Sequence, residues 1–290
     1  MSKNTFTIAR FFKAYPNDDA CLDAIFKKRF GTEITCIGCG DMHAKFYKVR
    51  KRKCYACSSC GHQIHPLAGT IFHKSSTSLQ SWFFAMYLFS TSKNGVAAKE
   101  LERQLGVTYK MAWRMAHQIR LLFKQDGKLG GADKVVETDE TYYGGKHRRW
   151  QRYDDKTPII GSIERGVSAR MKVIDTASRT RAEQYVKDTI ELDSVFYTDE
   201  SRLYLWMKKQ GIVHDSVNHS MRQYANGSVH TNTIESFWGR LKRSLSGTHH
   251  SVSRKHLQHY VDEFVFRYNL RGTAVWPGLF ALAARPLAPG

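Results

Sequence analysis

VVETDETYYGG, from Val135 to Gly145, is the stretch on which the reading of this chain turns. Its β-branched and aromatic residues favour a strand, yet Glu137, Asp139 and Glu140 sit in the middle. A carboxylate in a buried strand is costly unless a cation or a set of donors compensates it. Downstream, SVFYTDES (194–201) places Asp199 just past another short apolar run, and HTNTIESFWGRLKR (230–243) places Glu235 inside an expected helix. The expectation is that Asp139, Asp199 and Glu235 converge on divalent metal ions.

Around that stretch the pattern alternates. TPIIGSIE (157–164), MKVIDT (171–176), SVFYTD (194–199) and GIVHDSV (211–217) read as strands, and RAEQYVKDTI (181–190) reads as a helix. This order predicts a mixed α/β sheet with helices at its flanks. Neighbouring strands then bring Asp139 and Asp199 within metal-bridging range, with Glu235 supplied by a helix packed across the sheet edge. Hard dications prefer oxygen ligands and complete their shells with phosphate oxygens. A pair of such ions roughly 3.5–4 Å apart suits phosphodiester chemistry. By itself a triple drawn from 26 acidic residues is weak evidence.

Composition narrows the partner. Lys and Arg number 45 against 26 Asp and Glu, a formal charge of +19 on 290 residues, and 42% hydrophobic residues suffice for a core. That excess favours a polyanion, nucleic acid before acidic membrane. The most apolar run, Trp82 to Phe89, is far short of the roughly 20 residues a membrane-spanning helix needs. The start, MSKNTFTIARFF, lacks a signal peptide's continuous apolar stretch. The expected location is cytoplasmic, beside the nucleoid in a bacterium. Five of the six cysteines fall between Cys36 and Cys60, which indicates a metal site in a reducing compartment rather than a disulfide framework.

Working back toward the N-terminus, Cys36-x2-Cys39 and Cys57-x2-Cys60 have four-thiolate zinc spacing. Cys54 with Cys57 is a competing pair. Gly40 and Gly61, each following a second cysteine, favour the outer assignment, because glycine tolerates the positive φ that turns backbone amides toward sulfur. A closed structural zinc ribbon is therefore expected on Cys36, Cys39, Cys57 and Cys60. His43, His62, His65 and His73 read as surface. An amphipathic helix starts near Asn17 and ends at Gly31; Cys21 on it reads as a small core residue.

The run that includes Arg50, Lys51, Arg52 and Lys53 lies in the ribbon's middle hairpin and reads as a phosphate contact, with a plain solvated face as the alternative. SLQSWFFAMYLF (78–89) reads as an inward-packed helix. GVAAKELERQLG (95–106) and VTYKMAWRMAHQIRLLF (107–123) turn about Gly106 in a helix-turn-helix layout. Met111, Met115, Ile119 and Leu122 form the expected inward stripe, leaving Thr108, Tyr109, Lys110, Arg114 and His117 to face a major groove. Two packed helices without DNA are the alternative. KQDGKLGGAD (124–133), with no periodicity, is the best boundary. Expected divisions are 1–74 (helix and ribbon), 75–130 (helix-turn-helix), 131–271 (catalytic) and a 272–290 tail.

Together the CxxCG knuckles, AGTIF (68–72), LGVTYKMAWRM (105–115), ETDETYYGGK (137–146), YTDE (197–200) and HTNTIESFWGRLKR make residues 135–245 resemble the catalytic domain of DDE transposases. Over nearly its whole length the chain is similar to an ISXO-like insertion-sequence group that has an N-terminal zinc ribbon and is related to the Merlin elements. The resemblance implies an RNase H-like fold with Asp139, Asp199 and Glu235 as a Mg²⁺ or Mn²⁺ triad. It further implies Lys242 as a basic residue on the glutamate's helix, where seven residues make about two turns. Asn232 is a possible accessory ligand, since some members are thought to use asparagine. Glu137 and Glu140 are candidates for supporting the ligands, or else solvent-exposed strand residues. Arg240 and Arg243 share the basic helix with Lys242 as DNA contacts.

Asp154, Asp155, Asp175 and Asp193 read as turn or surface residues, and Trp238 as core rather than a base-stacking platform. His256 and His259, one turn apart, read as a basic face near DNA rather than a metal pair. The implied activity is binding of terminal inverted repeats, followed by strand cleavage and strand transfer, by a homodimer or larger assembly on DNA. A catalytically silent DNA-binding regulator and a nuclease without strand transfer are the competing readings.

Overall fold

The computed structural model describes residues 6–144, 156–199, 201–216 and 230–287. Asp154 and Asp155, and the motif residues Gly145, Lys146, Glu200 and Val217, lie outside the described residues. The chain divides into two compact units, residues 1–122 with 272–290, and residues 123–271.

In the first unit, Thr7 caps α1 (Ile8–Ala14) and Asn17 caps α2 (Asp18–Phe30) through its side-chain oxygen on Ala20 N. Short side-chain acceptors of this kind satisfy the orphan amides of a first turn. The ribbon follows as a three-stranded antiparallel sheet, β1 (Phe46–Lys48), β2 (Tyr55–Cys57) and β3 (Gln63–Ile64). It docks on α2 through Phe26 stacked on Tyr55 at 4.0 Å, and the Tyr55 hydroxyl donates to Asp23.

α3 (Leu79–Thr91) is buried along most of its length, as its unbroken apolar sequence requires. α10 (Val275–Ala283) returns from the far end of the chain to pack on α3. Trp276 joins it to Phe6, Phe11, Tyr15 and Phe83 with ring centroids 5.2 to 6.0 Å apart. α4 (Ala98–Leu105) ends on Gly106 in the left-handed region (φ 63), and α5 (Tyr109–Leu121) begins at the Thr108 cap. This is the turn of a helix-turn-helix. The buried stripe of α5 is Ala112, Met115, Ala116 and Ile119, continued by Leu122, while Met111 is only half-buried. Met115, Ile119 and Leu122 are thus buried as their spacing suggests, Met111 is not, and Ala112 and Ala116 widen the buried face.

The second unit is built on β4 (Val135–Tyr143), β5 (Thr157–Glu164), β6 (Ala169–Val173), β7 (Val195–Thr198) and β8 (His214–Ser216) in the order β6-β5-β4-β7-β8. The first three are antiparallel, and β7 and β8 run parallel to β4. That is the RNase H-like arrangement, an α/β fold with a mixed sheet.

One face carries Val136, Ile160 and Phe196 against α6 (Arg179–Thr189) and α7 (Trp206–Lys209), with Tyr185, Val186, Tyr204 and Trp206 filling the gap. The other carries Ile159, Ile163 and Met171 against α8 (Asn232–Ser244) and α9 (Arg254–Asn269), with Phe237, Trp238, Leu241, Leu257 and Val261. Successive side chains alternate between faces, so Glu137 and Asp139 point toward α8 while Val136 packs toward α6. No helix among the described residues is long and apolar enough to cross a membrane.

Candidate active site and zinc ribbon

The acidic site follows from strand register. β4 and β7 pair in parallel with Val135 opposite Val195 and Glu137 opposite Tyr197. Continuing two residues sets Asp139 beside Asp199 where β7 ends. A carboxylate oxygen from each of Asp139, Glu140 and Asp199 lies within 4.8 Å of the other two.

Each of these acids is braced. Trp238 Nε1 donates to Asp139 Oδ2 at 3.0 Å. Tyr204 Oη and Ser201 Oγ donate to the two oxygens of Glu140 at 2.8 and 3.2 Å. Asp199 Oδ1 accepts from Ser201 N at 3.0 Å, closing the turn after β7. Burial, then the charges of Asp199 and Glu140, push the Asp139 carboxyl up to about 8. Burial also raises Glu140, against the hydrogen bond from Tyr204. Three such oxygens make a hard donor set suited to a divalent ion.

Gly161 makes the Trp238 contact possible. It sits opposite Asp139 in the β4–β5 register, and a Cβ there would lie 2.6 Å from Trp238 Cη2 and 1.9 Å from Met171 Sδ. The indole therefore occupies the space a side chain at 161 would fill while its Nε1 reaches the Asp139 carboxylate.

Glu235 is placed on the exposed side of the first turn of α8, where Oε1 accepts from Thr231 Oγ1 at 2.9 Å. It is one turn before Trp238 and is not in the 4.8 Å group. Asn232, Lys242, Arg240 and Arg243 are exposed on the same helix, and Arg240 bonds Ser236 at 3.0 Å.

Glu137 is fully buried rather than solvent-exposed: its Oε1 accepts from Arg165 Nε at 2.7 Å and Thr233 Oγ1 at 2.8 Å, its Oε2 from Thr233 N at 2.9 Å and Ile234 N at 3.0 Å. Asp175 and Asp193 are exposed, Asp175 paired with Arg181 at 2.7 Å.

In the ribbon, the Sγ atoms of Cys36, Cys39, Cys57 and Cys60 cluster within 4.8 Å. Cys36 is 3.6 Å from Cys60 and Cys39 is 3.9 Å from Cys57. Tetrahedral zinc with bonds of ~2.3 Å sets sulfurs ~3.8 Å apart, so the cluster has the size for that ion. The two knuckles match: Gly40 and Gly61 both have φ 74, and each returns its amide to the carbonyl of the first cysteine. The Cys60 backbone amide is the main influence that brings the Cys57 thiol down to about 7, easing the thiolate that a metal requires. Cys54 is buried apart from the group, its Sγ 3.7 Å from Gln63 Oε1.

Of the positions expected to face DNA, Arg50, Lys51, Arg52 and Lys53 are exposed in the turn between β1 and β2, with Lys53 3.9 Å from Asp18. On α5, Thr108 spends its hydroxyl on Met111 N as the cap. Tyr109 lies 4.8 Å beneath Lys99, Lys110 is exposed, and Arg114 and His117 are half-buried. Sequence reasoning passed over Trp113, which is 36% exposed and stacks on His117 at 5.0 Å. Arg120 turns inward to the Val96 carbonyl at 2.8 Å.

An RNase H-like sheet with carboxylates clustered at its central parallel pair, carried on one chain with a four-cysteine ribbon and a helix-turn-helix, defines a polynucleotidyl-transferase-like architecture. Comparison with known proteins makes this specific. Residues 128–269 match the ISXO2-like transposase domain and residues 16–63 match the transposase zinc-ribbon domain. The chain belongs to the ISXO2-like transposase family.

It is 25% identical over 275 residues to an uncharacterized protein in transposable element ISH50 of Halobacterium salinarum, covering 88% of this chain and 92% of that one. It is 29% identical over 84 residues to an uncharacterized transposase-like protein of Haemophilus influenzae, covering 29% of this chain and 67% of that one. Among solved structures, a pre-cleavage Mos1 transpososome is similar at 10% identity and TM-score 0.25, over 71% of this chain and 79% of that one.

Proposed function

We propose that this chain is a DNA transposase that binds the terminal inverted repeats of its own element and carries out metal-dependent strand cleavage and strand transfer. The observation that carries the reading is the convergence of Asp139 and Glu140, from the middle of β4, with Asp199, just past the end of β7. Asp139 and Asp199 would hold Mg²⁺ or Mn²⁺, joined by Glu235 once DNA is seated, with Asn232 as a further oxygen donor beside it. Such ions lower the pKa of an attacking hydroxyl and offset charge on phosphate oxygens.

The protein supplies position. Trp238 fixes the Asp139 carboxylate, and Tyr204 with Ser201 fixes Glu140, so neither has to reorganise during reaction. Lys242, with Arg240 and Arg243, presents positive charge on the exposed side of α8 for the DNA backbone. In the first step water attacks a phosphorus at the element end, the P–O3′ bond breaks, and the 3′-oxygen leaves with a proton as a hydroxyl. In the second that hydroxyl attacks a target phosphorus and displaces the target's own 3′-oxygen. No protein nucleophile is needed.

The +19 charge, the basic hairpin at 50–53 and the outer face of α5 support recognition of the ends. Zinc would be held by Cys36, Cys39, Cys57 and Cys60 in a purely structural role. The two ends of an element must be handled together, so a homodimer or larger assembly on DNA is part of the proposal. The divisions at 74, 130 and 271 stand as proposed functional boundaries.

Incubating the protein and Mg²⁺ with pre-cut end DNA and a target plasmid tests this reading. Covalent joining of the ends to the plasmid is expected. Cutting of uncut ends without any joining would reduce the protein to a nuclease, and binding without cutting would reduce it to a regulator.

A further inference from the structure

Beyond the acidic cluster, Glu137 stands two residues before Asp139 on the same face of β4. α8 has no side-chain cap of its own: Thr231 stands at the cap position without accepting a bond there. The first turn instead finds its acceptor across the fold, in the carboxylate of Glu137, which takes the N–H groups of Thr233 and Ile234 at 2.9 and 3.0 Å. These are the second and third residues of the helix, the amides that a capping side chain normally satisfies. Negative charge at this end also complements the helix dipole.

Arg165 neutralises the buried charge at 2.7 Å and ties down the chain entering the helix through the His230 carbonyl at 2.9 Å. Arg165 is itself seated over the Tyr197 ring on β7 at 4.9 Å.

A second pin lies further along the same helix, where Trp238 donates to Asp139. On β4, from 137 to 139, the pins are ~6.6 Å apart, at a rise of about 3.3 Å per residue. On α8, from 234 to 238, they are ~6 Å apart, at about 1.5 Å per residue. The helix and strand are therefore clamped at matching intervals, and Glu235 falls between the clamps. Neither translation nor rotation of the first turn is free while both hold.

We propose that Glu137 is a positioning residue: by capping α8 from the catalytic strand, it sets where the Glu235 carboxylate stands relative to Asp139 and Asp199. This rests on the reading of those acids as a metal-dependent catalytic centre. It assigns Glu137 no contact with DNA or with metal. A buried carboxylate that spends both oxygens on a helix N-terminus and an arginine has none left for an ion.

The test uses the full-length protein and end DNA, following strand cleavage as a function of Mg²⁺ concentration for wild type, Glu137→Gln and Thr233→Ala. Losing a residue that holds a metal ligand in place typically costs 10–100-fold in metal affinity or activity. For Glu137→Gln the half-saturating Mg²⁺ concentration should rise by about tenfold or more, with a lower rate at saturation and unchanged affinity for end DNA in Ca²⁺. Thr233→Ala removes one donor to the same carboxylate without leaving a buried charge unpaired. It should shift the Mg²⁺ dependence the same way by a smaller factor, and it decides the matter if Glu137→Gln does not fold. A variant with a lower rate and an unshifted Mg²⁺ midpoint would show that Glu137 merely stabilises the fold, and would overturn the proposal. Wild-type protein that cuts nothing would instead remove the catalytic reading on which the proposal stands.

Discussion

Gly161→Ala isolates the geometry of the acidic site from its charge. The backbone at Gly161 is ordinary strand and accepts alanine; only space opposes it. The new Cβ would stand 2.6 Å from Trp238 Cη2, 2.8 Å from Cζ2 and 1.9 Å from Met171 Sδ. Carbon atoms pack at about 3.5–4.0 Å, so the indole must retreat by roughly 1 Å. Its N–H now donates to Asp139 Oδ2 at 3.0 Å, and retreat of that size takes the pair beyond hydrogen-bonding range of ~3.5 Å.

Overpacking of a core typically costs about 1–3 kcal/mol, while a 1 Å displacement near reacting groups can cost on the order of 10²-fold in rate. Denaturant unfolding and the strand-cleavage rate should therefore separate: a modest loss of stability with a disproportionate loss of rate. Trp238→Phe, which removes the donor, should lower the rate in its own right. Adding Gly161→Ala to it should cost less than in wild type, because the bond that alanine breaks is already gone. Full activity in Gly161→Ala, or strictly additive effects in the pair, would refute the idea that Trp238 holds Asp139 for catalysis.

Other outcomes follow from separate parts of the molecule. Serine at Cys36, Cys39, Cys57 or Cys60 should lower bound zinc and abolish binding to the inverted repeats, whereas Cys54→Ser should keep a full zinc complement by elemental analysis. Tyr204→Phe removes the hydroxyl that donates to Glu140 at 2.8 Å and should slow cleavage by about 10–100-fold, with end binding by gel shift unaffected. Asp262, whose carboxyl is raised to about 6 by burial, gives a pH signature. The folded state binds its proton more tightly than the unfolded chain, so the stability it lends is present below the ordinary carboxylate range and is lost as pH rises through about 6. Asp262→Asn should accordingly be more stable than wild type at pH near 7.5, by at most about 3 kcal/mol, with the gap closing below pH ~4. A gap that does not change with pH would exclude this origin.

The sheet is legible from sequence because its strands are written in β-branched residues with clear ends; VVETDETYY and TPIIGSIE are the two central antiparallel strands residue for residue. An aspartate inside one strand and another just past the end of a second suggest adjacency, and the parallel register of β4 with β7 supplies it. Glu137 could not be read as a helix cap, since its partners lie 96 and 97 residues away and no local pattern announces them. Trp238 reads as core and is core, at 4% exposed, but a buried indole also needs a home for its N–H, and that requirement points to the carboxylate. Gly161 carried a signal that was available: glycine inside an isoleucine-rich strand marks close approach of another group. On α5 the spacing gives Met115, Ile119 and Leu122 correctly, while Ala112 and Ala116, too small to mark a hydrophobic stripe, are buried beside them.

The most direct measurement is Mg²⁺-dependent nicking of terminal inverted-repeat DNA by wild type, Asp139→Asn and Asp199→Asn, with binding to the same DNA measured in parallel. Wild type should nick and both variants should not, while all three bind alike. Nicking retained by both variants would contradict a catalytic centre built where the middle of β4 meets the end of β7.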